Sequence, residues 1–209
     1  MCNLYRMTKG KDEVAKWFEA IEALGGANFG EEVYPGYPGL VVASGELRQM
    51  TWGFPLVMKG KSGQPLKPKP VNNARTDKLD SFFWRYSFEE RRCLIPVSAW
   101  AEAQGPKGSK TRTWLSLPDS ELFAVAGVWR DSDEFGLCYS MVMTDSAGSA
   151  AEGIHSRMPV LLRPSDYEGW LSGSPEEAKS LCRAWDGEVN IDRTDQPWVK
   201  GAASQKNLL

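Results

Sequence analysis

The residue directly after the initiator methionine is a cysteine, and this position gives Cys2 a specific chemistry. Small second residues generally permit removal of Met1, which would leave Cys2 with an amine and a thiol on adjacent carbons. Such a 1,2-aminothiol condenses with an aldehyde to an imine, and the thiolate then closes a five-membered thiazolidine ring. Because an α-amine has a pKa of about 7.7–8.0, a useful fraction is neutral at pH 7. The simpler alternative is an incidental cysteine on a frayed terminus.

Two further residues could act as an acid or a base. The chain has one histidine, His155, which follows a Ser/Ala/Gly-rich turn at 145–153 and precedes an apolar strand, and Arg157 would share its strand face. Glu102 ends another apolar strand, and alternation places it on the same face as Trp100. If that face is interior, burial raises the pKa of the carboxyl. A surface histidine and a solvent-facing carboxylate are the alternatives.

One segment, residues 59–76, has five basic residues and no acidic one. Because the whole chain has a formal charge of −2, the remaining residues carry −7. A cationic loop on an acidic protein could follow a phosphate backbone, and nearby Trp52 and Phe54 could stack on bases. The alternative is a solvated lysine-rich loop. The basic residues are Lys59, Lys61, Lys67, Lys69 and Arg75.

Composition excludes several other classes. The 209 residues, 42% of them hydrophobic, fit one compact domain, and no apolar run is long enough to span a membrane. The start lacks the apolar region of a signal peptide, so we expect a cytoplasmic protein, and a monomer. The four cysteines form no CxxC pair and one histidine does not complete a typical zinc site, so no metal is expected. Nucleotide-binding loops and hydrolase motifs are absent from the sequence.

The periodicity predicts an α+β fold dominated by antiparallel strands with flanking helices. Residues 12–24 are predicted to be a helix that Gly25-Gly26 stops, since apolar residues recur there every three or four positions. The other predicted helices are 81–90, 165–171 and 175–185. Strands are predicted at 40–44, 49–54, 92–103, 111–117, 121–130, 136–144 and 157–163, with a long loop over 55–73.

Six short motifs in a fixed order resemble those of one known family. They are Met1-Cys2, TWGF (51–54), NNAR (72–75), RCLIPV (92–97) leading to Glu102, AGVW (126–129), and a block from Thr144 to Val160 containing IHSRMPV. In this order they are similar to the SOS-response-associated peptidase (SRAP) family, whose members shield abasic sites in single-stranded DNA. The resemblance runs from residue 2 to about 171, and residues 186–209 have no match. It implies a single domain of barrel-like curved sheets.

The resemblance implies four catalytic residues. Cys2 would attack the ring-opened aldehyde of an abasic deoxyribose through its amine and close the thiazolidine. Asn73 would hold the Cys2 terminus or the sugar, and it is preferred over Asn72 because Ala-Arg follows it. Glu102 would position or deprotonate the amine. His155 would act as acid or base on the sugar oxygen.

The same resemblance implies a path for single-stranded DNA containing abasic sites, with no metal or cofactor. Arg75 and Arg157 would contact phosphates. The other residues expected along the path are Thr144, the Pro38-Gly39 turn, Trp52, Lys67 and Lys69. The chain departs from the family pattern in one respect near Cys2, because Asn3-Leu4 stand where many members have Gly-Arg.

Three functions remain open from the sequence. The first is covalent capture of abasic sites through Cys2. The second is a cysteine-type peptidase, including one that acts only on the protein's own amino terminus. The third is a non-covalent binder of single-stranded nucleic acid, but such a binder does not need Cys2, Glu102 and His155 together.

Overall fold

The computed structural model of the chain describes residues 2–24 and 30–198. The predicted helix stop at Gly25-Gly26 and the end of the predicted tail lie outside these residues. Within them the helices are few and short, and none is long and apolar enough to cross a membrane. The helices are α1 (Lys11–Trp17), α2 (Arg85–Glu90), α3 (Tyr167–Ser172) and α4 (Pro175–Ser180).

Strands dominate the described part of the chain, which confirms the predicted α+β class. The first eight are β1 (Tyr5–Arg6), β2 (Ile21–Glu22), β3 (Glu32–Val33), β4 (Pro38–Ala43), β5 (Glu46–Trp52), β6 (Phe54–Leu56), β7 (Lys69–Val71) and β8 (Asn73–Arg75). The others are β9 (Arg92–Val97), β10 (Ala99–Gln104), β11 (Thr111–Ser116), β12 (Phe123–Arg130), β13 (Cys138–Asp145), β14 (Arg157–Pro159), β15 (Leu161–Leu162) and β16 (Asn190–Pro197).

The strands form two large sheets and a hairpin. The first sheet has the order β16-β11-β10-β1-β3, and the second has the order β14-β13-β12-β9-β4-β5-β2. In the second sheet, β13 also pairs with β5, through Cys138↔Thr51 and Tyr139↔Trp52. This pairing closes five strands on themselves, so the sheet is a barrel that no longer has two free edges in that region.

The core fills this barrel and the space under the helices. Every residue of β9 is buried, as are the first six of β12, because the barrel interior covers one face while α2 and α3 pack on the other. Such double burial explains why these strands appear in the sequence as continuous apolar runs rather than alternating ones.

The predicted strand over 92–103 is two strands in different sheets. The chain leaves the second sheet at Val97 and enters the first at Ala99, with Ser98 between them. Ser98 is fixed there, because its N–H donates to the Arg6 carbonyl at 2.8 Å and its Oγ accepts from the backbone N–H of Thr8 at 3.1 Å. This corner places the first sheet, which carries Glu102, against the barrel.

Two other predictions were wrong in part. The helix predicted over 12–24 ends at Trp17, because Glu19 adopts a φ of 50° and the chain continues into β2, where Ile21 is 73% exposed. The loop predicted over 55–73 contains the β6–β7 hairpin, in which Phe54 pairs with Val71. Its prolines sit on a two-stranded pair, where a missing N–H costs little.

Two helices are shorter than the sequence predicted. The helix predicted over 81–90 begins at Arg85, and the one predicted over 175–185 ends at Ser180. The described part of the unmatched tail contains β16, which pairs with β11 at the edge of the first sheet.

Gly39 lies inside β4, paired with Met50, and not in the predicted Pro38-Gly39 turn. A Cβ atom at this position would lie 2.1 Å from the Tyr139 hydroxyl and 2.3 Å from the Tyr5 hydroxyl. These two buried hydroxyls hydrogen-bond to each other. The backbone of β4 can therefore approach the tyrosine pair only because residue 39 has no side chain.

We expect Gly39→Ala to lower the free energy of unfolding by about 1–3 kcal/mol, because the new methyl group overpacks this contact. Urea denaturation measures the change. Gly153→Ala is the matched control, since nothing lies within 4 Å of its added Cβ and its φ is not positive. Equal stability of the two variants would contradict the close packing described.

Candidate active site

The backbone carbonyl of Cys2 is held by two side-chain amides. Asn73 Nδ2 donates to this oxygen at 2.8 Å and Asn72 Nδ2 donates to it at 2.9 Å. Asn72 Nδ2 also donates to Asn3 Oδ1 at 3.0 Å. Cys2 itself is completely buried. The doubled asparagine of the sequence is thus a clamp on the residue that was singled out for its chemistry.

The clamp is built on β8, a short strand that pairs in parallel with β13. Asn73 stands opposite Met141, and the Met141 N–H donates to the Asn72 carbonyl at 3.0 Å. Trp52 Nε1 donates to the same carbonyl, also at 3.0 Å. The backbone that carries the two amides is therefore fixed by the barrel wall and by a core side chain.

Trp52 does not have the predicted role in base stacking. Its side chain is completely buried, with the Tyr5 ring edge-on at 5.0 Å and the Tyr139 ring stacked at 6.5 Å. Phe54 is completely buried as well. Because a base must reach the ring face to stack on it, both residues are corrected to core residues, and Trp52 acts on the site only through Asn72.

The thiol of Cys2 is held in its neutral form. Burial raises the pKa of this thiol well above its ordinary value, and the charge of Glu102 raises it further. Its Sγ donates to the Leu4 carbonyl at 3.4 Å. The Ala101 N–H, next to Glu102, donates to the same Leu4 carbonyl at 2.9 Å, which brings β10 alongside Cys2.

Glu102 lies near the end of β10, opposite Thr113, with 3% of its surface exposed. Alternation along β10 puts it on the same face as Trp100, which is completely buried. Burial raises the pKa of Glu102 to about 7. A carboxyl with this pKa can both accept and donate a proton at neutral pH, which suits an acid–base catalyst.

The ring of His155 is oriented by the backbone two residues further on. Its Nδ1 accepts from the Arg157 N–H at 3.0 Å, so a neutral ring carries its proton on Nε2. Nδ1 also lies 3.2 Å from the Arg157 carbonyl, to which a protonated ring can donate. Burial lowers the pKa of His155, which favours the neutral ring at pH 7.

Strand pairing relates Arg157 to Asn73. In the ladder β8–β13–β14, Arg75 stands opposite Met143, while Asp145 stands opposite Arg157. Residues that are paired, or two apart on one strand, point to the same side of a sheet. The side chains of Asn73, Arg75 and Arg157 therefore share a face. A hydrogen bond joins Cys2 to Asn73, the charge of Glu102 acts on the Cys2 thiol, and the ladder adds the two arginines.

The basic residues predicted along the DNA path remain at the surface. Lys67 and Lys69 are exposed, and Arg75 and Arg157 are half-buried. Arg75 forms a bidentate ion pair with Asp77, with Nε–Oδ1 at 2.8 Å and Nη2–Oδ2 at 2.6 Å. Any phosphate that binds Arg75 must compete with this carboxylate.

Two residues predicted to line the DNA path are turned inward. Thr144 is 7% exposed, pairs with Met158 on the face opposite to Arg157, and donates its hydroxyl to the Cys182 carbonyl at 3.4 Å. Gly39 is buried beneath the tyrosine pair. Both are corrected to structural positions, while the adjacent Pro38 is half-buried.

The site therefore combines a buried cysteine at position 2, a two-amide clamp and a buried glutamate with a raised pKa on a strand-dominated α+β barrel. The family model described as SOS response associated peptidase (SRAP) matches residues 1–195. The chain belongs to the SRAP family. The match extends to residue 195, into the tail where the motifs gave no match.

Two relatives named abasic site processing proteins match about 70% of the chain. The abasic site processing protein YoqW of Bacillus subtilis (strain 168) is 27% identical over 155 residues, which are 70% of this chain and 67% of that protein. The abasic site processing protein YMR114C of Saccharomyces cerevisiae is 26% identical over 146 residues, 69% of this chain but only 35% of the yeast protein.

Solved structures share the fold. A protein from Bordetella bronchiseptica superposes with a TM-score of 0.76 at 19% identity, covering 92% of this chain and 99% of that one. A protein from Bacteroides thetaiotaomicron gives a TM-score of 0.75 at 18% identity, covering 92% and 91%. These similarities extend over the barrel and the first sheet together.

The raised pKa of Glu102 makes stability depend on pH in a definite direction. Between the ordinary value of 4.5 and the folded value of about 7, the folded state binds a proton that the unfolded state has lost. Stability is therefore greatest below pH 4.5 for this group and falls as the pH rises through 7. Glu102→Gln keeps the shape and removes the titration.

We expect Glu102→Gln to match the wild type near pH 4.5 and to exceed its stability by about 3 kcal/mol at pH 8. Urea denaturation across this range measures the difference. Glu134→Gln is the control, because that carboxylate is exposed. If the free energies of unfolding of Glu102→Gln and the wild type differed by the same amount at every pH, the raised pKa of Glu102 would be contradicted.

Proposed function

We propose that this protein captures abasic sites in single-stranded DNA by forming a covalent bond through Cys2, after Met1 has been removed. The observation that carries the proposal is the placement of Cys2: its carbonyl is clamped by Asn72 and Asn73, and its thiol lies near the charge of Glu102. The names of the relatives, abasic site processing proteins, support the same substrate.

The reaction needs no oxidant and no cofactor. The amine nitrogen of Cys2 attacks the C1′ aldehyde of the ring-opened sugar and forms a carbon–nitrogen bond. The carbonyl oxygen leaves as water with two protons that came from the nitrogen, which gives a carbon–nitrogen double bond. The thiol gives its proton to a base. The sulfur then forms a bond to the same carbon and closes the thiazolidine. The protein supplies orientation and proton transfer.

Glu102 moves the protons at the amine. With a pKa of about 7, its carboxylate can take a proton from the Cys2 ammonium and return it to the hydroxyl that leaves as water. Because burial keeps the thiol neutral, the thiol needs a base when sulfur attacks the imine carbon. The same carboxylate serves this second step.

His155 acts on the sugar before the amine does. An abasic deoxyribose exists mainly as a closed ring, and its aldehyde appears only when the ring oxygen gains a proton and the C1′ hydroxyl loses one. The protonated ring of His155 can give its Nε2 proton to this oxygen, while its Nδ1–H donates to the Arg157 carbonyl.

The peptidase and the simple binder explain the site less well. A cysteine peptidase needs a reactive thiolate, whereas burial raises the pKa of the Cys2 thiol. A non-covalent binder has no use for a buried carboxyl beside a buried cysteine, because burying such a group costs stability. Covalent capture uses both.

The first test is adduct formation with an abasic single-stranded oligonucleotide, followed on a denaturing gel. Protein from which Met1 has been removed should form a heat-stable, slower-migrating species, and Cys2→Ala should form none. Cys182→Ala is the matched control, since this cysteine lies on the other side of β13, near α4. Equal cross-linking by Cys2→Ala would refute the role of Cys2.

The second test concerns the phosphate contacts and uses the Cys2→Ala background, in which binding is non-covalent. Arg75→Ala should weaken binding and reduce the slope of log affinity against log salt by about 1. Asp77→Asn should strengthen binding, because it releases Arg75 from its ion pair.

Lys16→Ala, which removes one exposed charge from α1, is the control for net charge. Fluorescence anisotropy with a labelled oligonucleotide measures all four proteins. Weaker binding by Asp77→Asn, or equal loss in Lys16→Ala and Arg75→Ala, would contradict a phosphate contact at Arg75.

A further inference from the structure

Asn72 uses both hydrogens of its side-chain amide next to the reactive residue, and the mechanism above assigns it no step. One hydrogen is donated to the Cys2 carbonyl at 2.9 Å and the other to Asn3 Oδ1 at 3.0 Å. The amide group is planar, so these two bonds fix its orientation. Asn72 thus connects the backbone of residue 2 with the side chain of residue 3.

The backbone of Asn72 is itself immobilised. Its carbonyl accepts two hydrogen bonds, one from the Trp52 indole and one from the Met141 N–H, both at 3.0 Å. Trp52 is packed between two buried tyrosines and Met141 lies in the barrel wall. The position of the amide is therefore set by the core and not by a surface loop.

A geometric consequence follows for the amine. Once Met1 has gone, the amine nitrogen of Cys2 is bonded to Cα alone, and its place relative to the carbonyl depends on the torsion about the Cα–C bond. The buried side chain holds this torsion, because Sγ donates to the Leu4 carbonyl at 3.4 Å. A carbonyl oxygen with one donor can pivot about that hydrogen bond, whereas donors on both of its lone pairs fix the plane of the group. Asn73 supplies one donor and Asn72 the other.

We propose that Asn72 is a positioning residue that, with Asn73, fixes the carbonyl plane of Cys2 and thereby aims its α-amine at the abasic aldehyde. This inference rests on the proposed function. It also predicts an electronic effect. Two hydrogen bonds withdraw electron density from the carbonyl and lower the pKa of the adjacent amine, which leaves more free amine at neutral pH.

The test compares two variants of Asn72 in single-turnover adduct formation at several DNA concentrations. Asn72→Asp has nearly the same shape but has no amide N–H to donate, and it places a carboxylate oxygen against the Cys2 carbonyl. We expect its limiting rate to fall at least tenfold, because small displacements of reacting atoms are costly. The pH midpoint of the rate should rise, and in the uncharged variant Asn72→Ala the DNA concentration at half-maximal rate should be unchanged.

Further variants separate positioning from folding. Asn72→Ala should lose several-fold in limiting rate, and Asn3→Ala, which removes only the outer hydrogen bond, should lose less. Asn190→Asp is the matched control, because it makes the same chemical change at an exposed position on β16 and should react like the wild type. Thermal unfolding establishes that each variant is folded.

Three outcomes decide the matter. Wild-type limiting rates and pH midpoints in both folded Asn72 variants overturn the inference. A change only in the DNA concentration at half-maximal rate overturns the inference as well, since Asn72 would then contact DNA. If the wild-type protein forms no DNA adduct, the proposed function fails, and the reaction of Cys2 with formaldehyde, followed by intact mass, tests the clamp alone: equal rates in wild type and Asn72→Asp overturn it.

Discussion

Two hydrogen bonds to one backbone oxygen organise this protein. The Cys2 carbonyl accepts from Asn72 and Asn73, and these amides are placed by β8, which is in turn held by β13. The barrel closes through β13 and β5, and β5 ends at Trp52, whose indole supports Asn72. The two strands that close the barrel, β5 and β13, therefore also hold the asparagines that bind the Cys2 carbonyl. Gly39 contributes as well, by allowing β4 to pack against the tyrosine pair beside Trp52.

Burial determines how this site handles protons. The same desolvation that keeps the Cys2 thiol neutral brings the pKa of Glu102 to about 7, and it lowers the pKa of His155. Each shift disfavours the charged form of its group. A site of this kind transfers protons between nearly neutral partners rather than holding a permanent ion pair. This matches a condensation that releases water, and it differs from the thiolate chemistry of a cysteine peptidase.

The residues proposed to carry the chemistry could be named from the sequence because their signals are local. Cys2 is defined by its position, and Glu102 by the apolar strand that precedes it. The fold class followed from strand periodicity. Strand periodicity did not predict which single residues are exposed. A tryptophan such as Trp52 can pack in a core or stack on a base, and Trp52 is buried where β5 pairs with β13. The role of Asn72 was also hidden, because it depends on a contact across 70 residues. The break at Ser98 was missed because both flanking segments are buried strands.

The most direct measurement is tandem mass spectrometry of the protein–DNA adduct after digestion with a protease and a nuclease. The account predicts an amino-terminal peptide that begins at Cys2, lacks Met1, and carries the deoxyribose remnant on residue 2 as a thiazolidine. A remnant attached to a lysine such as Lys67 or Lys69, or a cross-linked peptide that retains Met1, would contradict it.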